Sequence, residues 1–228
     1  MGTYITGDRD IEDIPSLTAK ALRINLNKHI YGTFSEIGAG QETVRYFFRA
    51  GGASGTIAKA VSAYDKNFSD ALYGAEQDGR YVTETRLKKM LTHEINLLQE
   101  RLPRDKYPDK LFFTYANTVT TIDFAKRYKG HGWVGIRFQT TPDGEYNDII
   151  LHIRFHQTET RAQQETLGKL GVNLIHSAFY KTDKPHRIIQ YLYDHIDKDL
   201  IEIDMINFSG PNFAHIDNRL MSLQLIKN

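Results

Sequence analysis

The sequence predicts an α/β or α+β fold: a mixed sheet of five to six strands with helices packed on it. Three observations predict it. Residues 33–48, Thr-Phe-Ser-Glu-Ile-Gly-Ala-Gly-Gln-Glu-Thr-Val-Arg-Tyr-Phe-Phe, run from an extended segment through a Gly-x-Gly turn straight into a helical pattern. Residues 83–102 place Leu87, Met90, Leu91, Ile95, Leu98 and Leu102 at three- and four-residue steps, the period of one helix face. Residues 133–139 and 146–155 alternate with period two around Thr141-Pro142-Asp143-Gly144, which reads as a central β-hairpin over 133–155 with a four-residue loop.

Residues 1–14 are polar and acidic and read as a flexible arm. Residues 15–228 read as a single domain, helical over 15–103 and sheet-rich over 110–228. Pro15-Ser16 opens a helix with Leu17, Ala21, Ile24 and Leu26 mostly on one side. Residues 31–37 form a short strand or extended turn, and 31–35 are too polar for a central parallel strand. A helix over 41–50 stops at Gly51-Gly52; 56–64 reads as helical through its alanines, and 67–73 adds a turn or two. Thr83, Glu84, Thr85 and Arg86 supply capping candidates for the long helix, which Pro103 and Pro108 end. A short apolar strand follows at 111–115. In the hairpin, Val134, Ile136 and Phe138 share a face with Ile149, Leu151 and Ile153, and Arg137 stands opposite Asp148 as a favourable cross-strand pair. The other face carries Trp133, Gln139, Tyr146, His152, Arg154 and His156, a stacking surface or a plain solvated face. Helices follow at 161–180 and 185–196, and two last strands at 200–208 and 219–226.

Composition narrows the chemistry. The 228 residues are 40% hydrophobic and 25% charged, an ordinary globular balance. Net charge is +1, from 29 basic and 28 acidic residues, which argues against nucleic acid as a partner. The absence of cysteine excludes disulfides, thiolate nucleophiles and cysteine-based zinc sites. No secretory signal pattern or membrane-length apolar run is present, so the expected location is the cytoplasm and no membrane partner is expected. The sequence names no cofactor. His152 and His156 on one strand lie about 13 Å apart at ~3.3 Å per residue, too far to share an ion, and no other metal-ligand spacing occurs.

Three segments carry candidate site residues. Glu36, Gly38, Gly40, Gln41 and Arg45 surround the Gly-x-Gly turn, where helix N–H groups suit an anion or a polar ligand edge. The third glycine of a dinucleotide fingerprint is missing, since Thr43 stands there. Acidic-x-Gly-x-Gly also opens S-adenosylmethionine-dependent methyltransferases, with Asp65 then placed to hold a ribose. A structural turn using glycine for positive φ is the plain alternative. Ser54, Thr56 and Lys59 begin the next helical segment and suit a phosphate, or serve as cap and solvated residue. Ser209, His215, Asp217, Asn218 and Arg219 share one loop between two strands; they offer the types of a nucleophile, base and orienter, or ordinary turn chemistry. His131 in Gly130-His131-Gly132-Trp133 and Arg137 are further candidates beside the hairpin.

Residues 30–42, Thr56-Ile57-Ala58-Lys59, Ser62-Ala63-Tyr64-Asp65, Gly130-His131-Gly132-Trp133, Phe208-Ser209-Gly210-Pro211 and His215-Ile216-Asp217-Asn218-Arg219 together resemble an uncharacterised bacterial protein family. The resemblance covers nearly the whole chain. Its members are about twice as long, which implies that this chain is an N-terminal half with a C-terminal domain as partner. Labels used for such proteins are nicotinate-nucleotide adenylyltransferase and TonB-dependent receptor. Neither label fits the residues: the former's His-x-Gly-His motif is absent, its nearest likeness being the mid-chain Gly130-His131-Gly132, which lacks one His, and the latter needs a signal peptide and many amphipathic strands.

The expected function is binding of a phosphorylated or nucleotide-like small ligand, within an enzyme of unknown reaction. If the segments converge, Arg45, Lys59 and Arg219 neutralise phosphate and His215 is the acid–base group. The alternatives are a non-catalytic assembly module, including a homo-oligomer, and a methyltransferase-like enzyme using Glu36, Gly38, Gly40 and Asp65.

Overall fold

A computed structural model describes residues 14–126 and 128–227; most of the expected N-terminal arm lies outside them. In chain order come α1 (Leu17–Asn25), β1 (Ile30–Gly38), α2 (Glu42–Ala50), a 3-10 turn at Ala53–Gly55, β2 (Ile57–Ser62), α3 (Lys66–Tyr73), α4 (Glu84–Arg101), β3 (Leu111–Thr120), β4 (His131–Phe138) and β5 (Asn147–Phe155). Then follow α5 (Thr160–Tyr180), α6 (Pro185–Leu192), β6 (Ile201–Ser209), a 3-10 turn at Pro211–Phe213 and α7 (Asn218–Lys227). Six strands make one mixed sheet in the order β2-β1-β3-β4-β5-β6. β1 pairs in parallel with β2 and β3, and the β3-to-β6 half is antiparallel.

Local chemistry starts the helices. Ser16, Asp65 and Thr83 each accept a hydrogen bond from the backbone N–H three residues on, at 2.8–3.1 Å, capping α1, α3 and α4. The hairpin forms in the expected register, with Ile136 opposite Ile149, Val134 opposite Leu151 and Arg137 opposite Asp148. Its apolar face joins Phe34, Phe113 and Tyr115 in the main core under α1, α2, α5 and α6. Leu167, Leu170, Leu174 and Ile175 of α5 are fully buried there, each worth ~2 kcal/mol relative to exposure. The opposite face is covered in part: Leu87, Met90 and Leu91 of α4 pack on Ala116, Ile150 and Trp133.

Four expectations need correction. Residues 57–62 are not helical but form an edge strand. Ile57, Lys59 and Val61 are half-buried and alternate with exposed Ala58, Ala60 and Ser62, so pairing with β1 overrides alanine propensity. Residues 218–227 are a helix, not a strand. Asn218 anchors its start by accepting from Phe208 N and donating to Phe208 O, and Met221 and Leu225 meet the core at a four-residue step. β1 is a central parallel strand despite its polar residues, because their side chains find partners: Thr33 meets the Thr114 hydroxyl at 3.1 Å and Ser35 the Tyr73 hydroxyl at 2.5 Å. β3 also runs on to Thr120, well past the expected 115.

Candidate functional site

The strand order reverses at β1. The chain leaves it through α2 to β2 on one side and returns to β3 on the other. In open α/β sheets the crevice outside the carboxyl ends of strands at such a reversal is where ligands bind. Here that place holds the Gly-x-Gly turn. Gly38 has φ of +88°, and a Cβ on it would lie 2.1 Å from the Val119 carbonyl oxygen. A Cβ on Gly40 would lie 2.0 Å from Asn117 Oδ1, so the backbone at Gly40 rests directly on the Asn117 side chain.

Beneath the turn, Glu36 and Asn117 are register partners on β1 and β3. Glu36 is 3% exposed and Asn117 0%. Among the described residues, Glu36 Oε1 and both Asn117 side-chain polar atoms have no partner at full hydrogen-bonding geometry; the Tyr115 phenol interacts with Asn117 only loosely. Burial, and next the charge of Glu42, push the Glu36 carboxyl up to about 8, so at neutral pH it is mostly a neutral acid. Next to them the Tyr115 phenol is pushed up by burial, against a hydrogen bond with Thr43 at 3.1 Å.

The turn is held lightly. Ala39 N–H to Val119 O, Thr43 N–H to Gly40 O and Arg45 N–H to Gln41 O span 3.3–3.4 Å. The short contacts come from one side chain, Gln41, whose Nε2 donates to Gly38 O at 2.6 Å and to Ser62 Oγ at 2.7 Å.

The structure brings together Glu36, Gly38, Gly40, Gln41 and, within the first turn of α2, Arg45, which is paired with Glu42 at 2.7 Å. It does not bring the other candidates to them. Ser54 lies in the 3-10 turn, and Thr56 donates to Asn25 O at 2.9 Å; neither opens a helix. Lys59 pairs with Glu94 of α4 at 2.6 Å, and Asp65 is the α3 cap. Arg137 forms a two-pronged pair with Asp148 at 2.8 Å and donates to Thr92. Ser209, which pairs with Asp148, lies with His215, Asp217, Asn218 and Arg219 at the far end of the strands. The register puts Ser209 level with Thr33, about 17 Å from Gly38 along the strands at ~3.3 Å per residue and four strands across at ~4.8 Å each, about 25 Å in all, so the expected convergence with the Gly-x-Gly turn does not occur. Among the described residues no hydrogen bond joins Ser209, His215 and Asp217; Asp217 accepts from Arg219 N–H and Asn218 ties α7 to β6. His131 stands at the same end as Gly38, on the opposite face, beside His152.

Sequence reasoning missed Asn117. The signal was present, since Phe113, Tyr115, Asn117 and Val119 continue one alternating face. Among the described residues no group of three or more His, Asp or Glu side chains is arranged to hold a metal ion, and no helix is long and apolar enough to cross a membrane.

No protein-family model matches the chain, and no curated protein matches it. Solved structures with some likeness include a competence-damaged protein (CinA) superfamily protein from Enterobacter cloacae, at 11% identity over 78% of this chain and 98% of that one, with a TM-score of 0.45. A competence or damage-inducible protein from Enterobacter asburiae shares 12% identity over 73% of this chain and 98% of its own, TM-score 0.47. A CinA superfamily protein from Escherichia coli shares 14% over 76% and 92%, TM-score 0.42. Likeness at this level assigns neither family nor activity.

Proposed function

We propose that the chain binds a small nucleotide-like ligand at the strand-order reversal, with Glu36 and Asn117 reading a neutral amide or base edge. The observation that carries this is the pair of buried side chains with unpartnered polar atoms under Gly40. Asn117 offers one acceptor and one donor group, and a protonated Glu36 offers the same. Each unsatisfied buried group costs about 1–3 kcal/mol, which a complementary edge would recover. The N-terminus of α2 beside the turn suits a phosphate on the same ligand.

A thermal-shift panel of nucleotides, free bases, nicotinamide mononucleotide, S-adenosylmethionine and inorganic phosphate tests the reading. The expected result is a raised melting temperature with a base- or amide-bearing compound, by about 2.7 kcal/mol of stabilisation at a hundredfold excess over Kd. Asn117→Ala should abolish the shift. Glu36→Gln, which keeps a donor and an acceptor, should preserve it and remove its loss above about pH 8. A shift with S-adenosylmethionine alone would favour the methyltransferase-like alternative, and an unchanged shift in Asn117→Ala would place the ligand elsewhere.

A further inference from the structure

The sheet face opposite the Glu36–Asn117 pair carries, at the same end, a cluster that the nucleotide-like reading does not use. Asp204 Oδ1 lies 2.5 Å from His152 Nδ1, and His152 Nε2 lies 3.3 Å from His131 Nδ1. The Trp133 ring leans on His152 at 4.8 Å between centroids. Asp204 Oδ2 accepts from Arg154 Nε at 2.6 Å. Three antiparallel strands deliver these groups: His131 faces Arg154, and Trp133 faces His152. Asp204 reaches His152 through an irregularity in the ladder. His152 pairs with Met205 and Ile153 with Ile203, so Asp204 is the extra residue of a bulge. Bulges re-aim side chains in this way, and they are common beside active sites.

The cluster borders a cavity of about 510 Å³ lined by Lys129, His131, Arg154, His156, Glu202 and Asp204. These are also the charged and titratable groups that face His131, together with His152. Hydrogen-bond logic fixes the direction of the line. Burial opposes ionisation of Asp204, but hydrogen bonds from Arg154 and His152 outweigh it and hold the carboxyl below its ordinary value. An ionised Asp204 only accepts, so His152 donates to it from Nδ1; in the neutral tautomer that this leaves, Nε2 is the acceptor. His131 then donates from Nδ1, and its Nε2 keeps a lone pair outside the line. Burial first, then His152 and Arg154, keep the His131 imidazole below its ordinary value, against the pull of Asp204. Arg154 spends Nε on Asp204, and its two terminal nitrogens make no hydrogen bond among the described residues.

We propose that this cavity is a proton-exchanging site for a small phosphate monoester. His131 Nε2 is the acid–base atom, His152 and Asp204 are its positioning residues, and Lys129 and the Arg154 terminal nitrogens hold the anion. The exchange balances without a co-reactant. The O–H bond of the phosphate monoanion breaks, its electron pair stays on oxygen, and the proton forms an N–H bond on His131. The product is an imidazolium beside a dianion, with the new charge backed through His152 by Asp204. A phosphate ester releases its second proton near pH ~6, close to the imidazole range, so the proton passes readily in either direction.

Calorimetric titration with phenyl phosphate at pH 7, in two buffers of different ionisation heat, tests this. The expected result is saturable binding with proton uptake from the buffer. His131→Gln, at a half-buried strand start, should keep the fold and lose the uptake. Asp204→Asn should weaken binding about tenfold, the scale of one charge-assisted contact, and displace the pH profile of uptake. Asn117→Ala, on the other face, should change nothing here, so this site and the nucleotide-like site fail separately. Absence of saturation at millimolar ligand, or uptake that persists in His131→Gln, overturns the proposal. So does an Asp204→Asn protein indistinguishable from the parent in affinity and pH profile, which would make the cluster a structural lock.

Discussion

Glu36 and Asn117 stand opposite each other on neighbouring parallel strands, both buried, each with polar atoms that lack a partner at full hydrogen-bonding geometry among the described residues. An unsatisfied group in a low-dielectric interior is costly, and a buried carboxyl lowers that cost by holding its proton. This gives the fold a measurable pH signature.

Glu36 titrates at about 8 in the folded chain against an ordinary value of 4.5. Between those values the native state binds more protons than the unfolded state, so this group makes stability fall as pH rises through the window. The slope approaches ~1.4 kcal/mol per pH unit. Glu36→Gln has no charge to bury and should flatten the fall. Denaturant midpoints from pH 5 to 9 measure it; parallel curves for the two proteins would mean that Glu36 ionises without penalty.

Lys20 and Asp194 form a buried pair, 2.6 Å apart and 2% and 5% exposed, with Lys20 also donating to Asn173 at 2.8 Å. Lys20→Met removes the ammonium from beside a buried carboxylate. The expected loss is about 3–5 kcal/mol by chemical denaturation. A loss below about 1 kcal/mol would show that Asp194 takes up a proton or reaches water at little cost.

His176 is buried against Tyr180, and its Nε2 has no hydrogen-bond partner among the described residues. Burial, followed by Lys20, Arg23 and Lys181, pushes the imidazole down to about 3. The unfolded chain binds this proton below its ordinary 6.5 and the native chain does not, so stability attributable to His176 is lost as pH falls from 6.5 towards 3. An imidazole resonance that titrates near 6.5 in the folded protein would contradict the burial argument.

Much of this fold was legible where one period dominates. The leucines of α4 and the alternation of β4 and β5 each admit one reading, and the hairpin register follows from both strands presenting their apolar residues to one side. β2 was misread because three alanines favour a helix locally, while the ladder that overrides them depends on β1, more than twenty residues earlier. α7 was misread because Leu220, Met221, Leu223, Leu225 and Ile226 fit either period, and Asn218 sets the choice through contacts to β6 that no local pattern contains. The Gly-x-Gly turn was legible because glycine marks close backbone approach. The alternation that carries Asn117 onto the buried face was also there to read, but its place opposite Glu36 was not, since which strands pair is not written in either one. The same holds for Asp204, whose role depends on a one-residue ladder irregularity.

The two halves of the sheet differ in how far apart in the chain their partners lie. Arg137 meets Asp148 across eleven residues, whereas Thr33 meets Thr114 across eighty-one. Loop-closure entropy makes the second encounter the costlier of the two. β1 must hold one open ladder edge until β3 arrives, and Glu36 and Asn117 face each other only after that closure. On the proposed reading, recognition at the strand reversal requires that closure: a molecule in which β1 and β3 have not paired carries both side chains and no site, and ligand added during folding would stabilise only molecules that have made this pairing.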